Sequence, residues 1–312
     1  MLQVDAFILS RNRAKFIGDS IKSLLQQSHS FQNIVVLDNQ SSDNTETVVS
    51  GFPDVTFLKS SGELSVFDNL RRIKDHGSSN WVMAFHDDDV IHKSFLEEAA
   101  KALSAFPNLN LIASNFVGSK HPSLDDLNNL KLDDAHHYFA NSSTLSAFCM
   151  SDNRIGFSSC LYRREAFREA IDCDYSAFGK MADRPVLVNA CESGAALVFK
   201  DNFLLYRLHE DQDSVESKNG PFLEEGLALA NFYKSRTYDR EPLLLKLSFI
   251  LNLKSFLKQI YKWCSDRDSQ SYFGYTKSLL SDFEFSPLLQ FVPRPFFRYV
   301  RKSIRLFKHD FF

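Results

Sequence analysis

The stretch NWVMAFHDDDV, residues 80–90, sets three carboxylates directly after one of the most apolar short runs in the chain. Asp87, Asp88 and Asp89 repel one another, and partial burial makes each charge costlier. A divalent cation resolves this conflict, since Mg²⁺ and Mn²⁺ take oxygen ligands. On an extended backbone, Asp87 and Asp89 point to one side and Asp88 to the other. The cluster alone leaves open a solvated turn that helps to cap a helix near residue 94.

The apolar run before the aspartates is one of five that alternate with helix-type patterns. Continuous apolar strands separated by helices predict an α/β fold with a mostly parallel central sheet and helices on both faces. Ligands bind such sheets at the carboxyl ends of the strands, where the aspartates fall. The predicted strands are 3–10, 33–39, 55–60, 80–89 and 109–116, and the predicted helices are 14–27, 41–50, 64–76 and 93–106.

The periodicity weakens after these elements, so the organisation of the rest is predicted more coarsely. Residues 1–215 are expected to form the catalytic domain, with 118–153 as an insertion or mobile loop, and 216–312 a helical C-terminal region. Within the first domain, the later predicted elements are a strand running into a helix (154–167), a helix closed by Gly194 (181–194) and a strand pair turning near Asp201-Asn202 (195–209).

Composition narrows the class of protein. The 312 residues carry a formal charge of −3, which does not suggest nucleic-acid binding. Five widely spaced cysteines without a Cys-x-x-Cys pair argue against a disulfide framework or zinc site and fit a cytoplasmic protein. The N-terminus has no basic segment before its apolar stretch, so a signal peptide is not expected. No uncharged apolar run reaches about 18 residues, so no membrane span is expected.

Five motifs in order carry a family resemblance. They are FILSRNRAKFIGDSIKSLLQQS, NIVVLDNQSSDNT, FDNLRRIKDHGSSNWVMAFHDDDV, MADRPVLVNACESG and LLYRLHEDQDS. Together they resemble family 2 glycosyltransferases with the A-type (GT-A) nucleotide-sugar fold, over about residues 3–120 and 154–215. The resemblance implies a hexosyltransferase-type enzyme (EC 2.4) that uses Mn²⁺ or Mg²⁺.

The resemblance also implies a role for each matching residue. Asp38 would accept a hydrogen bond from the base, Asp89 would hold the metal, and Asp183 would be the general base. His209 matches a position that holds metal or diphosphate in some relatives, although a structural histidine is the alternative. Asp183 could instead cap a helix near Pro185. The full implied sets are Ser10, Arg11, Asn12, Asp38, Asn69, Asp87 and Asp88 for the nucleotide, and Asp87, Asp89 and His209 for the metal.

Two positions depart from the family pattern. Arg11 stands where an aromatic residue often stacks on the base, and Asn39 stands where a second acidic residue is frequent. Arg11 could still stack through its guanidinium plane. Arg163 and Arg164 could face the acceptor or diphosphate, or form a surface pair. These departures leave the identity of the base open.

The tail 294–312 has a basic amphipathic pattern typical of a membrane-surface helix. Docking on the catalytic domain or on a second subunit, as in a homo-oligomer, is the alternative. With the family resemblance, the tail suggests a cytoplasmic enzyme, peripheral on the inner face of the membrane, that acts in bacterial surface polysaccharide or lipopolysaccharide synthesis. Its donor would be a UDP-sugar and its acceptor a glycan or lipid-linked glycan.

Two rival functions remain at this stage. A nucleotidyltransferase also uses paired aspartates and a metal, but usually carries a glycine-rich loop after the first strand. The segment SRNRAKFIG is not glycine-rich. A non-catalytic nucleotide-sugar-binding scaffold of a glycan assembly complex is the other rival, against which the intact Asp87, Asp89 and Asp183 argue.

Overall fold

The computed structural model describes residues 2–133, 135–150, 155–210 and 222–237. Within these residues a nine-stranded sheet forms the centre of the fold. Its strands follow the order β3-β2-β1-β4-β8-β6-β9-β5, and β7 pairs with β9. The strands are β1 Val4–Ser10, β2 Asn33–Asp38, β3 Val55–Lys59, β4 Trp81–His86, β5 Val90–Ile91, β6 Leu109–Ser119, β7 His136–Phe139, β8 Leu161–Arg163 and β9 Ala195–Arg207.

Nine α-helices lie in the described residues, and three short 3-10 helices accompany them. The α-helices are α1 Ile17–Leu25, α2 Thr45–Ser50, α3 Val66–Arg71, α4 Phe95–Ala105, α5 Leu124–Asn128, α6 Ser142–Met150, α7 Arg164–Ile171, α8 Asp183–Asn189 and α9 Phe222–Thr237. The 3-10 helices are Arg72–Asp75, Phe157–Ser159 and Ser176–Met181.

The first four strands of the sheet order confirm the predicted α/β class. β3, β2, β1 and β4 are mutually parallel, and in the chain α1, α2 and α3 follow β1, β2 and β3 in turn. Their apolar side chains and one face each of α1 and α4 form a single buried cluster. The other half of the sheet is mixed, since β8 runs antiparallel to both β4 and β6. The parallel half therefore presents one aligned set of carboxyl ends.

Three sequence-based expectations are wrong in detail. Segment 118–153, expected as an insertion or mobile loop, contains α5, β7 and α6. Residues 195–207 form one strand and not a hairpin, because irregular pairing with β6 near Asn202 absorbs the turn-like Asp201-Asn202 pair. The helix expected to reach Gly194 ends at Asn189, and Gly194 instead lies against the Asn110 side chain.

The chain divides into two compact units. Unit 1 comprises residues 1–142, 154–174 and 186–210 and contains the sheet; unit 2 comprises 143–153, 175–185 and 211–312. In unit 2, α9 carries Phe232, which packs edge-on against Phe178. The tail 294–312 and most of the region 216–312 lie outside the described residues, so the 1–215 and 216–312 division stays a prediction. None of the helices in the described part is long and apolar enough to cross a membrane.

Candidate active site

The carboxyl ends of β1, β2 and β4 bring the predicted site residues of unit 1 to one edge of the sheet. Ser10 is in register with Asp38, and Leu9 is in register with His86. The three aspartates come directly after β4, which is the neighbour of β1 in the sheet. However, β4 ends at His86, and Asp87 and Asp88 form a turn. The expectation of an extended backbone through the three aspartates is wrong.

Two tight loops after β1 and β2 are fastened to each other. Asn12 and Gln40 both adopt left-handed backbone conformations, with φ of 54° and 58°. The Asn12 amide N–H donates to Ser41 Oγ (2.8 Å), and its side-chain oxygen accepts from the Ser42 N–H (2.8 Å). Asn12 was predicted to contact the nucleotide, and its observed contacts hold the loop that bears Asp38. Strained residues of this kind concentrate at functional sites.

Asp38 is the predicted base-binding residue, and only one of its two side-chain oxygens is hydrogen-bonded within the described residues. The residue is fully buried. Its Oδ2 accepts the Ser41 N–H at 3.0 Å, whereas its Oδ1 has no hydrogen-bond partner among the described residues. A buried carboxylate oxygen without a partner is costly in a protein interior. This oxygen is therefore well placed to accept a hydrogen bond from a ligand.

Asn39 explains one departure from the family pattern. Its Nδ2 donates to the Leu64 carbonyl at 2.9 Å, and its Oδ1 accepts the Leu64 N–H at 2.8 Å. A carboxylate cannot donate, so an acidic residue here would break one of the two bonds. Asn39 thus ties the connection after β3 to the end of β2.

Asn69 lies on α3 behind the same strand end. Its amide donates to the Leu37 carbonyl (3.1 Å) and accepts from Arg72 Nη1 (2.8 Å). Arg72 in turn donates to the carbonyls of Asp38 and Leu58 at 3.0 and 2.7 Å. These bonds anchor α3 to β2 and β3 beside the expected nucleotide position.

Asp87 faces the loop after β1. Its Oδ2 accepts the Arg11 N–H at 3.1 Å, and its Oδ1 lies 3.7 Å from Arg13 Nε. Burial raises the pKa of Asp87 to about 7, and the neighbouring charge of Asp88 adds to the shift. Asp87 thus lies against these two arginines, and its predicted sharing of a metal ion with Asp89 stays a prediction.

The metal-type cluster consists of His86, Asp88 and Asp89, which offer ligand atoms within 4.8 Å of one another. Asp89 Oδ2 accepts from Ser158 Oγ at 2.7 Å and lies 3.7 Å from His86 Nδ1. His209 Nε2 contacts Asp88 Oδ2 at 2.9 Å, so the predicted histidine does reach the cluster. Burial raises the pKa of Asp89, with the charge of Asp88 adding to it. Burial opposes the charge of His86, but the surrounding aspartates raise its pKa to about 9.

This donor set fits a divalent cation. Carboxylates suit Mg²⁺ and Mn²⁺, and an imidazole shifts the preference toward a transition metal. His86 and Ser158 were not identified from the sequence. The position of His86, immediately before three aspartates, was available as an indication, whereas Ser158 is distant in the chain and is brought in by the pairing of β4 with β8.

Arg207 fastens the cluster from the end of β9. Its backbone N–H donates to Asp89 Oδ1 (3.2 Å), and its Nε donates to the Asp88 carbonyl (2.8 Å). Its Nη2 reaches Asp19 Oδ2 at 3.0 Å, and the guanidinium lies 4.8 Å from the centroid of the Phe16 ring. Arg207 therefore fixes the backbone of the acidic turn relative to α1.

Asp183, the predicted general base, lies in unit 2. It is the first residue of α8, so it lies inside the helix and not at the N-cap position that its alternative role as a cap requires, although an acidic residue in the first turn also favours a helix. Its Oδ2 lies 3.6 Å from Arg184 Nε, and its side chain is 30% exposed. In the same unit, burial raises the pKa of the Cys149 thiol to about 11, which makes that thiol a poor nucleophile. Asp183 is thus partly accessible to solvent, and its role as the general base stays a prediction.

Neither expectation for Arg163 and Arg164 is correct. Arg163 Nε and Nη2 donate to the Leu109 carbonyl at 3.1 and 2.9 Å. Arg164 Nη2 donates to Asp5 Oδ2 at 2.6 Å, near the amino end of β1. Both side chains are thus structural and lie away from the acidic turn, because β8 runs antiparallel to β4.

The fold and the acidic edge define a class of nucleotide-binding α/β proteins in which ligands bind at the carboxyl ends of parallel strands. The model of glycosyl transferase family 2 matches residues 5–170, more than half of the chain. The chain belongs to this family and is a glycosyltransferase by its domain.

Solved structures support the same fold. S. aureus TarS 1–349 superimposes with a TM-score of 0.62 at 14% identity, over 96% of this chain and 87% of that chain. The mannosyltransferase PcManGT from Pyrobaculum calidifontis, solved with GDP-Man and Mn²⁺, gives 0.53 at 13% identity, over 97% and 86%. A TarS structure with UDP-GlcNAc gives 0.61 at 14% identity, over 96% and 88%. No curated protein is significantly similar to the chain in sequence.

Proposed function

We propose that this protein is a metal-dependent, inverting glycosyltransferase that moves a sugar from a nucleoside diphosphate to a hydroxyl group. One observation carries the proposal: the partly buried cluster of His86, Asp88 and Asp89 lies at the same sheet edge as the Asp38 oxygen that has no hydrogen-bond partner among the described residues. The cluster would hold the diphosphate of a donor through a cation, and the Asp38 oxygen would bind the base of that donor. Mn²⁺ or Mg²⁺ bound there would act as a Lewis acid on the leaving diphosphate.

Other residues of the chain bind the base, hold the acidic turn in position and accept the proton. Asp38 binds the base, while Arg207 and Ser158 hold the acidic turn in position. Asp183 accepts the proton of the acceptor hydroxyl. The acceptor oxygen forms its bond to the anomeric carbon as the bond from that carbon to the diphosphate oxygen breaks. Attack from the face opposite the leaving group inverts the anomeric centre.

The donor and the acceptor are each proposed as a chemical class. A UDP-sugar is the first candidate, since UDP-GlcNAc is bound in the similar TarS structure. GDP-Man in the mannosyltransferase structure keeps a GDP-sugar open, and a dTDP-sugar also has a base with a ring N–H for Asp38. The acceptor is a glycan or lipid-linked glycan of bacterial surface polysaccharide or lipopolysaccharide.

A thermal-shift panel with UDP, GDP and dTDP, each with and without Mn²⁺, tests the nucleotide part of the proposal. A ligand that binds the folded state raises the apparent stability, so one nucleotide should raise the melting temperature more with Mn²⁺ than without it. Asp89→Asn should abolish the Mn²⁺-dependent increment, whereas Asp54→Asn, an exposed aspartate before β3, should keep it. A protein that responds to none of the three nucleotides would contradict the proposal.

Turnover of the identified donor tests the catalytic part. Loss of a general base typically costs about 10²–10⁴-fold in rate. Asp183→Asn should therefore lower kcat at least about a hundredfold and leave the nucleotide Kd within about twofold. Near-normal turnover would show that Asp183 is not the general base and acts only in the first turn of α8. A wild-type protein that binds nucleotide sugar but never transfers sugar to any acceptor would favour the scaffold alternative.

Peripheral membrane contact through 294–312 is a separate part of the proposal. The basic residues of this segment would attract anionic lipid by about 1 kcal/mol each. The full chain should float with anionic vesicles and not with neutral ones, and truncation after residue 292 should release it. Equal flotation of the truncated protein would refute the contact.

A further inference from the structure

One side of α9 packs against the turn that leads into Asp183, and both belong to unit 2. Glu225, Leu229, Phe232 and Tyr233 recur at the spacing i, i+4, i+7 and i+8, so they lie on one side of the helix. Leu229 and Tyr233 are buried, whereas Glu225 is partly buried. This side of α9 is therefore a packing face that includes one carboxylate.

The turn is the 3-10 helix Ser176–Met181, which is kinked at Gly179. Gly179 has a φ of +45° and a ψ of −120°, and a Cβ at this residue would clash with Glu225 Oε1. The Glu225 carboxylate thus occupies the place that a side chain at residue 179 would take. Phe178, the residue before the kink, packs edge-on against Phe232 with 5.7 Å between the ring centroids. The turn therefore contacts α9 at two points that lie two helical turns apart.

The kink lies close to Asp183 in the chain. Asp183 follows Gly179 by four residues, and the Ala182 N–H donates to the Gly179 carbonyl at 3.3 Å. The helix α8 then begins at Asp183 itself. Because four residues have a short reach, the direction of the backbone at Gly179 sets where the Asp183 carboxylate lies.

Tyr233 connects the same face of α9 to the surroundings of Asp183. Its hydroxyl is hydrogen-bonded with the thiol of Cys149 on α6. Burial raises the pKa of Tyr233, the charges of Cys149 and Asp183 raise it further, and the charge of Arg184 opposes the shift. The charge of Asp183 acts on this buried hydroxyl, so α9 lies beside the start of α8.

A carboxylate costs more to bury than an apolar side chain, so packing of α9 alone does not account for Glu225. We propose that Glu225 is a positioning residue for sugar transfer, which holds the kink at Gly179 and thereby fixes Asp183 where it takes the proton of the acceptor hydroxyl. The inference rests on the proposed function, in which Asp183 is the general base. It assigns α9, the first described helix of the region 216–312, a part in that reaction.

A double-mutant cycle between Glu225 and Asp183 tests the proposal. Turnover is measured as release of UDP from UDP-GlcNAc, with water or an acceptor glycan as the nucleophile. GDP-Man or dTDP-glucose replaces this donor if GDP or dTDP is the nucleotide that raises the melting temperature.

The single variants should change kcat without changing binding. A small misplacement of a reacting group costs up to about 10²-fold in rate, so Glu225→Ala should lower kcat about ten- to hundredfold. The donor KM and the nucleotide Kd should stay within about twofold, since the predicted nucleotide-binding residues all belong to unit 1. Glu225→Gln keeps the shape of the side chain and should return kcat to near the wild-type value. Glu224→Ala, at an exposed position on the same helix, should change neither quantity.

The combination with Asp183→Asn separates positioning from a general effect on the fold. If Glu225 acts through Asp183, Glu225→Ala should cause no further loss of kcat once Asp183 is replaced. Gly179→Ala disturbs the same contact from the other side and should behave in the same way in both backgrounds. It decides the question if Glu225→Ala does not fold.

Two results would overturn the inference and leave the proposed function intact. One is an unchanged kcat in Glu225→Ala and Gly179→Ala. The other is the same relative loss of kcat with and without Asp183→Asn, which would make the contact purely structural. Near-normal turnover of Asp183→Asn alone would overturn the assignment of the base and the inference together.

Discussion

Buried carboxylates at the two ends of the parallel half of the sheet differ in how fully they are hydrogen-bonded. At the amino end, Asp5 is fully buried and fully bonded: it accepts from Asn33 Nδ2 at 2.7 Å, from Ser79 at 2.9 and 2.8 Å, and from Arg164 at 2.6 Å. At the carboxyl end, four buried aspartates have only one or two donors each, and burial raises the pKa of two of them. The four are Asp38, Asp87, Asp88 and Asp89.

The number of hydrogen bonds that each carboxylate accepts distinguishes a structural site from a binding site. A buried charge with every lone pair satisfied holds the fold together, and a ligand can add nothing to it. A buried cluster of like charges with an uncommitted oxygen is stabilised when a cation and a donor group arrive. The same kind of residue therefore has opposite expected effects on stability at the two ends.

The largest expected effect is at the amino end. Asp5→Asn removes one partner of a buried ion pair and leaves Arg164 without its countercharge, which typically costs about 3–5 kcal/mol. Urea denaturation followed by circular dichroism would measure the loss. Asp54→Asn, at an exposed aspartate, should stay within about 0.5 kcal/mol. Equal stability of Asp5→Asn and Asp54→Asn would mean that the Asp5 network is not structural.

The second prediction concerns the backbone that closes over Asp5. Gly77 has a φ of +74°, and a Cβ there would clash with Asp5 Oδ2. Gly77→Ala should cost about 1–3 kcal/mol from backbone strain and displacement of the carboxylate. Gly62 has open space around it, so Gly62→Ala is the matched control and should change stability little. A smaller loss at Gly77 than at Gly62 would contradict the tight packing at the amino end.

The third prediction reverses the sign at the carboxyl end. Asp87→Asn removes one charge from the repelling cluster, while its side-chain oxygen can still accept the Arg11 N–H. Without metal or nucleotide, the variant should melt about 2–4 °C higher, which corresponds to about 1 kcal/mol. Its Mn²⁺-dependent nucleotide binding should fall at least about tenfold. A lower melting temperature would place Asp87 with Asp5 among the structural carboxylates.

The smallest expected effect concerns Arg207, which is bonded to the acidic turn at the carboxyl end of the sheet. Arg207 bonds the Asp88 carbonyl and stacks on Phe16, so its ion pair with the half-exposed Asp19 adds little. Asp19→Asn should change the free energy of unfolding by less than about 1 kcal/mol. Arg207→Met should lower Mn²⁺ affinity in the folded protein. If Asp19→Asn lowered Mn²⁺ affinity as much as Arg207→Met, the ion pair itself would be the positioning contact.

The parallel half of the fold could be predicted closely from sequence because its pattern is local. β1, β2 and β3 lie within the predicted runs 3–10, 33–39 and 55–60. The mixed half was predicted less well, since β7 and the bulged β9 depend on partners distant in the chain. An Asp-Asn pair favours a turn by itself. Pairing of β9 with β6 overrides that preference, because the strand buries more apolar surface when it continues.

The sequence by itself determined the class of fold, the family and the edge of the sheet at which the acidic residues gather, because each depends on periodicity and short motifs. Only the tertiary structure decided which donors each carboxylate meets. It brought His86, Asp88 and Asp89 together, turned Asp87 toward Arg11 and paired Arg164 with Asp5. The physical reason is that the effect of a buried charge depends on its partners, which lie up to 188 residues away in the chain.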